Sequence, residues 1–168
     1  MVKATILVIF AIFVLERIKA TFFAYKHPKE GKIVAKGLTY YLIGIYSLII
    51  LASLIEFILA KARPNIYISM IGLVLLVLGG FLRNSAINTL KKHNFWSLHT
   101  KIFANQVIIK EGPYAYLSNP YYFGTMLELS GVTFLLNAYM SFFACLIVFV
   151  PVLLFRMLLE ERVLRNED

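Results

Sequence analysis

Apolar residues gather into four long runs, and polar residues into the short stretches between them. The first run is "ATILVIFAIFVL" (4–15), continued past Glu16 and Arg17 as "IKATFFAY". The second, "GLTYYLIGIYSLIILASLIEFILA" (37–60), holds a single charge, Glu56. The third, "IYISMIGLVLLVLGGFL" (66–82), passes into "RNSAINTLKK", and the fourth extends from Tyr121 to Phe155 with Glu128 as its only charge. A helix needs about 20 apolar residues to cross a bilayer. The fourth run, at about 1.5 Å per residue, would be roughly 50 Å long against a hydrocarbon core of about 30 Å. It must fold back, and the break is expected at "LLNAYM", where Asn137 is the strongly polar residue near the middle. Pro151 should kink the returning arm, because it removes an internal hydrogen bond.

The pattern predicts an all-α, multi-pass membrane protein in a single domain, 1–168. Five transmembrane helices are expected near 3–25, 37–60, 66–90, 120–136 and 138–164, the last two forming a tight hairpin. A loop over 91–119 joins the third and fourth. Gly79-Gly80 is expected to let a neighbouring helix approach closely or to permit a bend.

Composition sharpens this picture. Hydrophobic residues make up 60% of the chain and charged ones 15%, against about 25% charged in a soluble domain. The formal net charge of +8 would suggest nucleic acid in a soluble protein. Here the cations fall between apolar runs, so they report orientation and contact with anionic headgroups, and no nucleic acid is expected. Lys19, Lys26, Lys29, Lys32 and Lys36 lie in the first connection, and Arg83, Lys91, Lys92, Lys101 and Lys110 around the third. Arg156, Arg162 and Arg165 lie at the C-terminus, against Lys3, Lys61 and Arg63 on the other side. The positive-inside rule then puts the N-terminus outside and the C-terminus in the cytoplasm, as five spans require. No small-x-small cleavage site follows Lys3, so the first run reads as a retained anchor. Cys145 stands alone, which gives neither a disulfide framework nor a thiolate metal site.

Candidate chemistry concentrates in "EGPYAYLSNPYYFGTMLE" (111–128) and in Glu160-Glu161. "SNP" punctuates a helix start: Ser118 or Asn119 can cap it and Pro120 suits its first turn. Tyr114, Tyr116, Tyr121 and Tyr122 could serve as an interfacial belt, but turn residues just upstream suggest a built pocket. Adjacent carboxylates at a helix C-terminus oppose the helix dipole, although Arg156 or Arg165 could pair with them at i,i+4 spacing. Glu128, about two turns into an apolar helix, should face a protein interior or a cavity. Glu16, Arg17 and Glu56 are weaker candidates: Glu16 could pair with Lys19, and Glu56 could sit at the outer interface. His27, His93 and His99 lack paired ligand spacing, so no metal is expected. No P-loop or GxGxxG follows a strand, which leaves any cofactor to loops and helix ends.

"GPYAYLSNPYYFGTMLE", a short hairpin and then "RMLLEERVL" resemble the C-terminal half of the isoprenylcysteine carboxyl methyltransferase family. The likeness extends upstream through "ARP" (62–64), "LRNSAINTLKKHNFW" (82–96) and "ERIKATFFAYK" (16–26). These are similar to a short bacterial branch that includes alkylpyrone methyltransferases. The resemblance implies S-adenosylmethionine-dependent methyl transfer to an oxygen, a carboxylate or enol, of a lipophilic acceptor such as a prenylcysteine-like or alkylpyrone compound. It implies a bacterial or archaeal cell membrane, with the cofactor at the cytoplasmic mouth. Matched position by position, Gly112, Pro113, Tyr114, Tyr116, Pro120, Tyr122 and Glu160 would bind the cofactor, joined by Asn119. Glu160 and Glu161 match the family's carboxylate pair, and Glu128 is expected to orient or deprotonate the acceptor. Ser118-Asn119 stands where the family has Arg-His; this loses a cation and leaves open a less acidic acceptor, weak cofactor binding or an inactive protein. Two other readings stand beside this one: an NADPH-dependent enzyme resembling sterol reductases, and a non-catalytic binding or scaffold relative.

Overall fold

The computed structural model describes residues 2–20, 31–33, 36–60, 63–93, 101–103 and 109–165. The order is α1 (Val2–Ile18), β1 (Gly31–Ile33), α2 (Lys36–Leu59), α3 (Ile66–Lys92), β2 (Lys101–Phe103), a 3-10 turn (Gly112–Ala115) and α4 (Pro120–Leu135). The last helix runs without interruption through α5 (Tyr139–Ala144), a π segment (Cys145–Phe149) and α6 (Val150–Arg165). The described chain is helical apart from one antiparallel pair, in which Gly31, Lys32 and Ile33 face Phe103, Ile102 and Lys101. That pair ties the α1–α2 connection to the α3–α4 connection at one end of the bundle. The expected continuation of the first helix to residue 25 lies outside the described residues, as do His27 and His99.

Among the described residues, three helices are long and apolar enough to cross a membrane: Gly37–Leu59, Ile66–Lys92 and Tyr139–Glu160. α1, with 17 residues, and α4, with 16, are shorter. Large apolar side chains such as Leu48, Val77, Phe81 and Ile147 project outward. So broad an exposed apolar surface suits lipid rather than water.

α4 sits at the centre, its Thr125, Glu128, Leu129, Val132 and Thr133 all buried. Its closest partner is α3, and the reason is a pair of glycine spacings. A Cβ on Gly79 would lie 2.8 Å from the Gly124 carbonyl oxygen, and one on Gly131 2.9 Å from that of Gly72. The glycines repeat every seven residues on both helices, so two antiparallel backbones touch at two levels, with no side chain between them. Gly80 is different: a Cβ there would meet the Glu128 carboxylate at 3.5 Å, an ordinary contact. Of the Gly79-Gly80 pair, close approach therefore belongs to Gly79.

The fourth apolar run turns at Asn137, whose φ of 53° lies in the left-handed region that asparagine tolerates better than most residues. Its side chain holds the turn in place: Oδ1 accepts from Asn65 N–H at 2.8 Å, and Nδ2 donates to Ser69 Oγ at 2.7 Å. Asn65 in turn caps α3, its side chain accepting from Tyr67 N–H at 3.0 Å. Glu56, from the end of α2, accepts from Met140 N–H and Ser141 N–H at 3.0 Å each and from Ser141 Oγ at 2.9 Å. It caps the returning helix from a neighbouring one and satisfies backbone donors that the helix start leaves open. Before Pro151 the helix loosens into the π segment, the usual accommodation where a proline removes a hydrogen bond and crowds the preceding turn.

Candidate functional site

At the other end of the bundle, two polar groupings meet on α4. The first surrounds Glu128, which is fully buried. Arg83 of α3 donates from Nη1 to Glu128 Oε2 at 2.8 Å, and Arg17 of α1 places Nη1 3.1 Å from Oε1. The second contact is close but poorly aligned, so Oε1 is an ion partner without a hydrogen bond. Arg17 also bonds Glu16 of its own helix, and its Nη2 lies 3.4 Å from Asn84 Oδ1, whose amide nitrogen donates to Glu16 Oε1 at 3.3 Å. Glu16 thus pairs with Arg17 and Asn84, not with Lys19, among the described residues. Two guanidiniums and two carboxylates balance in charge, which is the condition for keeping ions at this depth. Arg83 Nε and Tyr46 Oη are buried without a hydrogen-bond partner among the described residues.

The second grouping joins α4 to α6. Tyr122 Oη donates to Glu160 Oε1, and Arg156 Nε donates to the same oxygen at 3.2 Å. Arg156 packs over the Tyr122 ring, 5.4 Å from its centroid, a cation on an aromatic face. The i,i+4 pairing expected of Glu160 is therefore made with Arg156. Glu161 follows in the same helix, its side chain outside the described residues.

Tyr121 connects the two groupings. Its ring meets that of Tyr122 edge-on at 5.3 Å, and Arg83 lies over its other side at 5.1 Å from the centroid while donating to its hydroxyl at 3.3 Å. A continuous chain of cations, rings and carboxylates thus leads from Arg17 to Glu160.

The 3-10 turn carries Gly112, Pro113 and Tyr114 to this end. Gly112 has φ 56°, and a Cβ on it would come within 2.8 Å of Thr89 Oγ1 on α3. Glycine is needed there for both reasons. Just before the turn, Glu111 bonds Lys92 Nζ at 3.1 Å and lies 3.3 Å from His93 Nε2. Lys92 and then His93 hold the Glu111 carboxyl below its usual range. Burial, followed by the charge of Glu160, pushes the Tyr114 phenol up, so Tyr114 lies within electrostatic reach of Glu160. Tyr116 faces outward, 91% exposed. Asn119 holds the N-cap position of α4 with its backbone carbonyl, which accepts from Tyr122 N–H at 3.1 Å. Its side chain makes no capping bond, so the expected side-chain cap is not formed. Pro120 opens α4 and is buried, as its fixed φ suits a first helical position.

Of the expected residues, the fold brings together Tyr114, Tyr122 and Glu160, sets Gly112 and Pro113 on the adjoining turn, and buries Glu128 one grouping away. Arg83, Arg156, Tyr121 and Tyr46 complete the arrangement. Arg83 carried a signal in the sequence, because it lies one turn beyond Gly79 on the face that meets α4. Tyr46 and Asn84 carried none.

Among the comparisons with known proteins, neither a curated protein nor a solved structure matches the chain. A family model does, phospholipid methyltransferase, over residues 67–167. The matched stretch is more than half of the chain and contains α3, the turn, α4 and the last helix. The likeness to isoprenylcysteine carboxyl methyltransferases falls within the same grouping. The chain belongs to the phospholipid methyltransferase family, a family of methyltransferases.

Proposed function

We propose that the protein is a five-span membrane enzyme that moves a methyl group from S-adenosylmethionine to an oxygen, carboxylate or enol, of a lipophilic acceptor. The observation that carries this reading is the Tyr122–Glu160 contact, made across 38 residues of chain. It brings the Pro-x-Tyr start of α4 to the carboxylate of α6, with Tyr114 beside them. The lysine-rich connections share this end of the bundle through the β1–β2 pair, which supports a cytoplasmic placing with the N-terminus outside. The family match favours methyl transfer over NADPH chemistry and over a non-catalytic role.

The donor set fits the cofactor. Glu160 is a carboxylate for ribose hydroxyls or an ammonium, Arg156 is the cation a carboxylate seeks, and Tyr114 and Tyr122 are aromatic faces for a cationic sulfur. Gly112 and Pro113 set the path of the turn, and Asn119 and Pro120 fix the start of α4. Bound there, S-adenosylmethionine supplies an electrophilic methyl group. The chain's own part is orientation and exclusion of water. Aromatic faces suit a charge that disappears during the reaction better than a close carboxylate would.

Transfer forms an oxygen–carbon bond as the sulfur–carbon bond breaks. A carboxylate acceptor is ionised at neutral pH and needs no base. An enol gives its proton to interfacial water before its oxygen attacks. What supports an orienting role for Glu128 is its fixed position, held between Arg83 and Arg17.

Calorimetry on detergent-purified protein tests the reading. S-adenosylmethionine and its demethylated product should bind and NADPH should not, and radiolabelled methyl should pass into an extract of membrane lipids. Binding of NADPH alone, or of none of the three, would overturn it.

A further inference from the structure

The last helix meets the bundle at two distant levels. Near its start Ser141 is fixed by Glu56 of α2, and near its end Glu160 meets Tyr122 of α4. Along the way the buried positions are Ser141, Cys145, Phe149 and Leu153, each four residues beyond the last. An α-helix turns about 100° per residue, so positions four apart drift by about 40° at each step. Arg156 and Glu160 follow Phe149 by seven and eleven residues, and so lie within about 20° of it on either side. The direction of Phe149 therefore sets the direction of the Arg156–Glu160 pair.

In an unbroken α-helix Phe149 would point about 80° away from Ser141. The π segment takes that drift back. Val150 N–H reaches five residues back to the Cys145 carbonyl oxygen, and a turn closed in this way holds about one residue more than an α turn. With it, Ser141, Cys145 and Phe149 share the buried face, and Arg156 and Glu160 continue that face toward Tyr122. The cause stands directly after the segment. Pro151 has no N–H to give to the Ile147 carbonyl, and its ring crowds that group. The Pro151 side chain is exposed, so its influence passes through the backbone rather than through packing.

We infer that Pro151 is a positioning residue for the cofactor corner. Through the π segment it sets the rotation of α6, and with it the aim of Glu160 at the Tyr122 hydroxyl and of Arg156 over the Tyr122 ring. The inference rests on the methyltransferase reading for what the corner binds, and on helix geometry for how the corner is assembled. Without the proline the segment closes into α turns and the far end of the helix rotates away. With one residue fewer in the segment, an ordinary α-helix carries the same side chains to the same place.

The test compares Pro151→Ala with the same variant from which Ile147 is also deleted. Ile147 is 73% exposed, and its deletion removes one residue between Cys145 and Phe149. Affinity for S-adenosylmethionine, measured by calorimetry, should fall about tenfold in Pro151→Ala, as for one lost hydrogen bond to a charged group, and return when Ile147 is deleted. A proline that served stability alone would not be compensated by a deletion. Where Pro151→Ala does not fold, the same deletion should restore folding. A second measurement needs no cofactor. Tyr122→Phe should lower the unfolding temperature of the parent and of the deleted Pro151→Ala form, but not of Pro151→Ala itself, where Glu160 no longer meets the hydroxyl. Deleting Ile147 from the parent should keep this response. Deleting Leu154, beyond the segment, turns Glu160 by about 100° and should abolish it. Equal responses in all variants, or no rescue by the Ile147 deletion, would overturn the inference. The expected temperature pattern without cofactor binding in any variant defeats the enzyme reading alone. Cofactor binding with additive temperature losses defeats the positioning role alone.

Discussion

Arg83 Nη1 stands 2.8 Å from Glu128 Oε2, and the carboxylate it meets is wholly buried. The two belong to α3 and α4, whose backbones the Gly79–Gly124 approach brings into contact one turn away. Removing one partner of a buried ion pair leaves an uncompensated charge, at a cost of about 3–5 kcal/mol. Glu128→Gln should therefore lower thermal stability in detergent markedly. The double variant Arg83→Gln/Glu128→Gln should lose less than the sum of the single losses. Additive losses would show that the pair is not coupled.

Glycine at 79 should be far less replaceable than its neighbour. In Gly79→Ala the new methyl group would lie 2.7 Å from the Glu128 backbone nitrogen, and overpacking of this kind costs about 1–3 kcal/mol. Gly80→Ala meets only an ordinary contact and should be tolerated. Unfolding temperatures of the two variants check this, and equal values would contradict the close packing.

Tyr122→Phe removes one hydroxyl, the donor to Glu160. A hydrogen bond to a charged group contributes about 1.5–3 kcal/mol. The unfolding temperature should fall as the bond is lost, and affinity for S-adenosylmethionine, measured by calorimetry where both proteins are folded, should fall at least tenfold. Unchanged affinity would remove this corner from cofactor binding.

Glu56→Ala should destabilise the protein by about 1–2 kcal/mol, the usual cost of a lost helix cap, because three donors at the start of α5 lose their acceptor. The site lies at the opposite end of the bundle from Glu160, so cofactor affinity should not change. Thermal unfolding and calorimetry on one preparation separate the two effects.

Acid should loosen the link between α3 and the 3-10 turn. Lys92 and His93 depress the Glu111 carboxyl below its ordinary value of 4.5. A depressed carboxyl contributes stability that is present above its ordinary value and lost as pH falls through the lower, folded one. Hydrogen exchange over residues 111–115, corrected for intrinsic rates, should therefore rise as pH drops below about 4.5. Glu111→Gln should show the faster exchange already at neutral pH. A variant indistinguishable from the parent at neutral pH would mean that the ion pair does not hold the turn.

Hydropathy and length by themselves determined where helices lie and that the fourth apolar run folds back. A long apolar run has to be helical in lipid, and asparagine is the residue there that accepts a left-handed turn. Spacing likewise determined the Arg156–Glu160 pair, because residues four apart on one helix are always neighbours. Tertiary structure alone decided which cations neutralise Glu128, since Arg17 is 111 residues away along the chain and many other basic residues were available. It also decided that Glu56 caps a helix other than its own and that Gly79, rather than Gly80, is the point of contact with α4. The physical reason is that periodicity records how each residue meets its surroundings on one helix. The partner across a helix–helix seam depends on how deeply and at what rotation two backbones pack, which here the glycine spacing of both α3 and α4 fixes together.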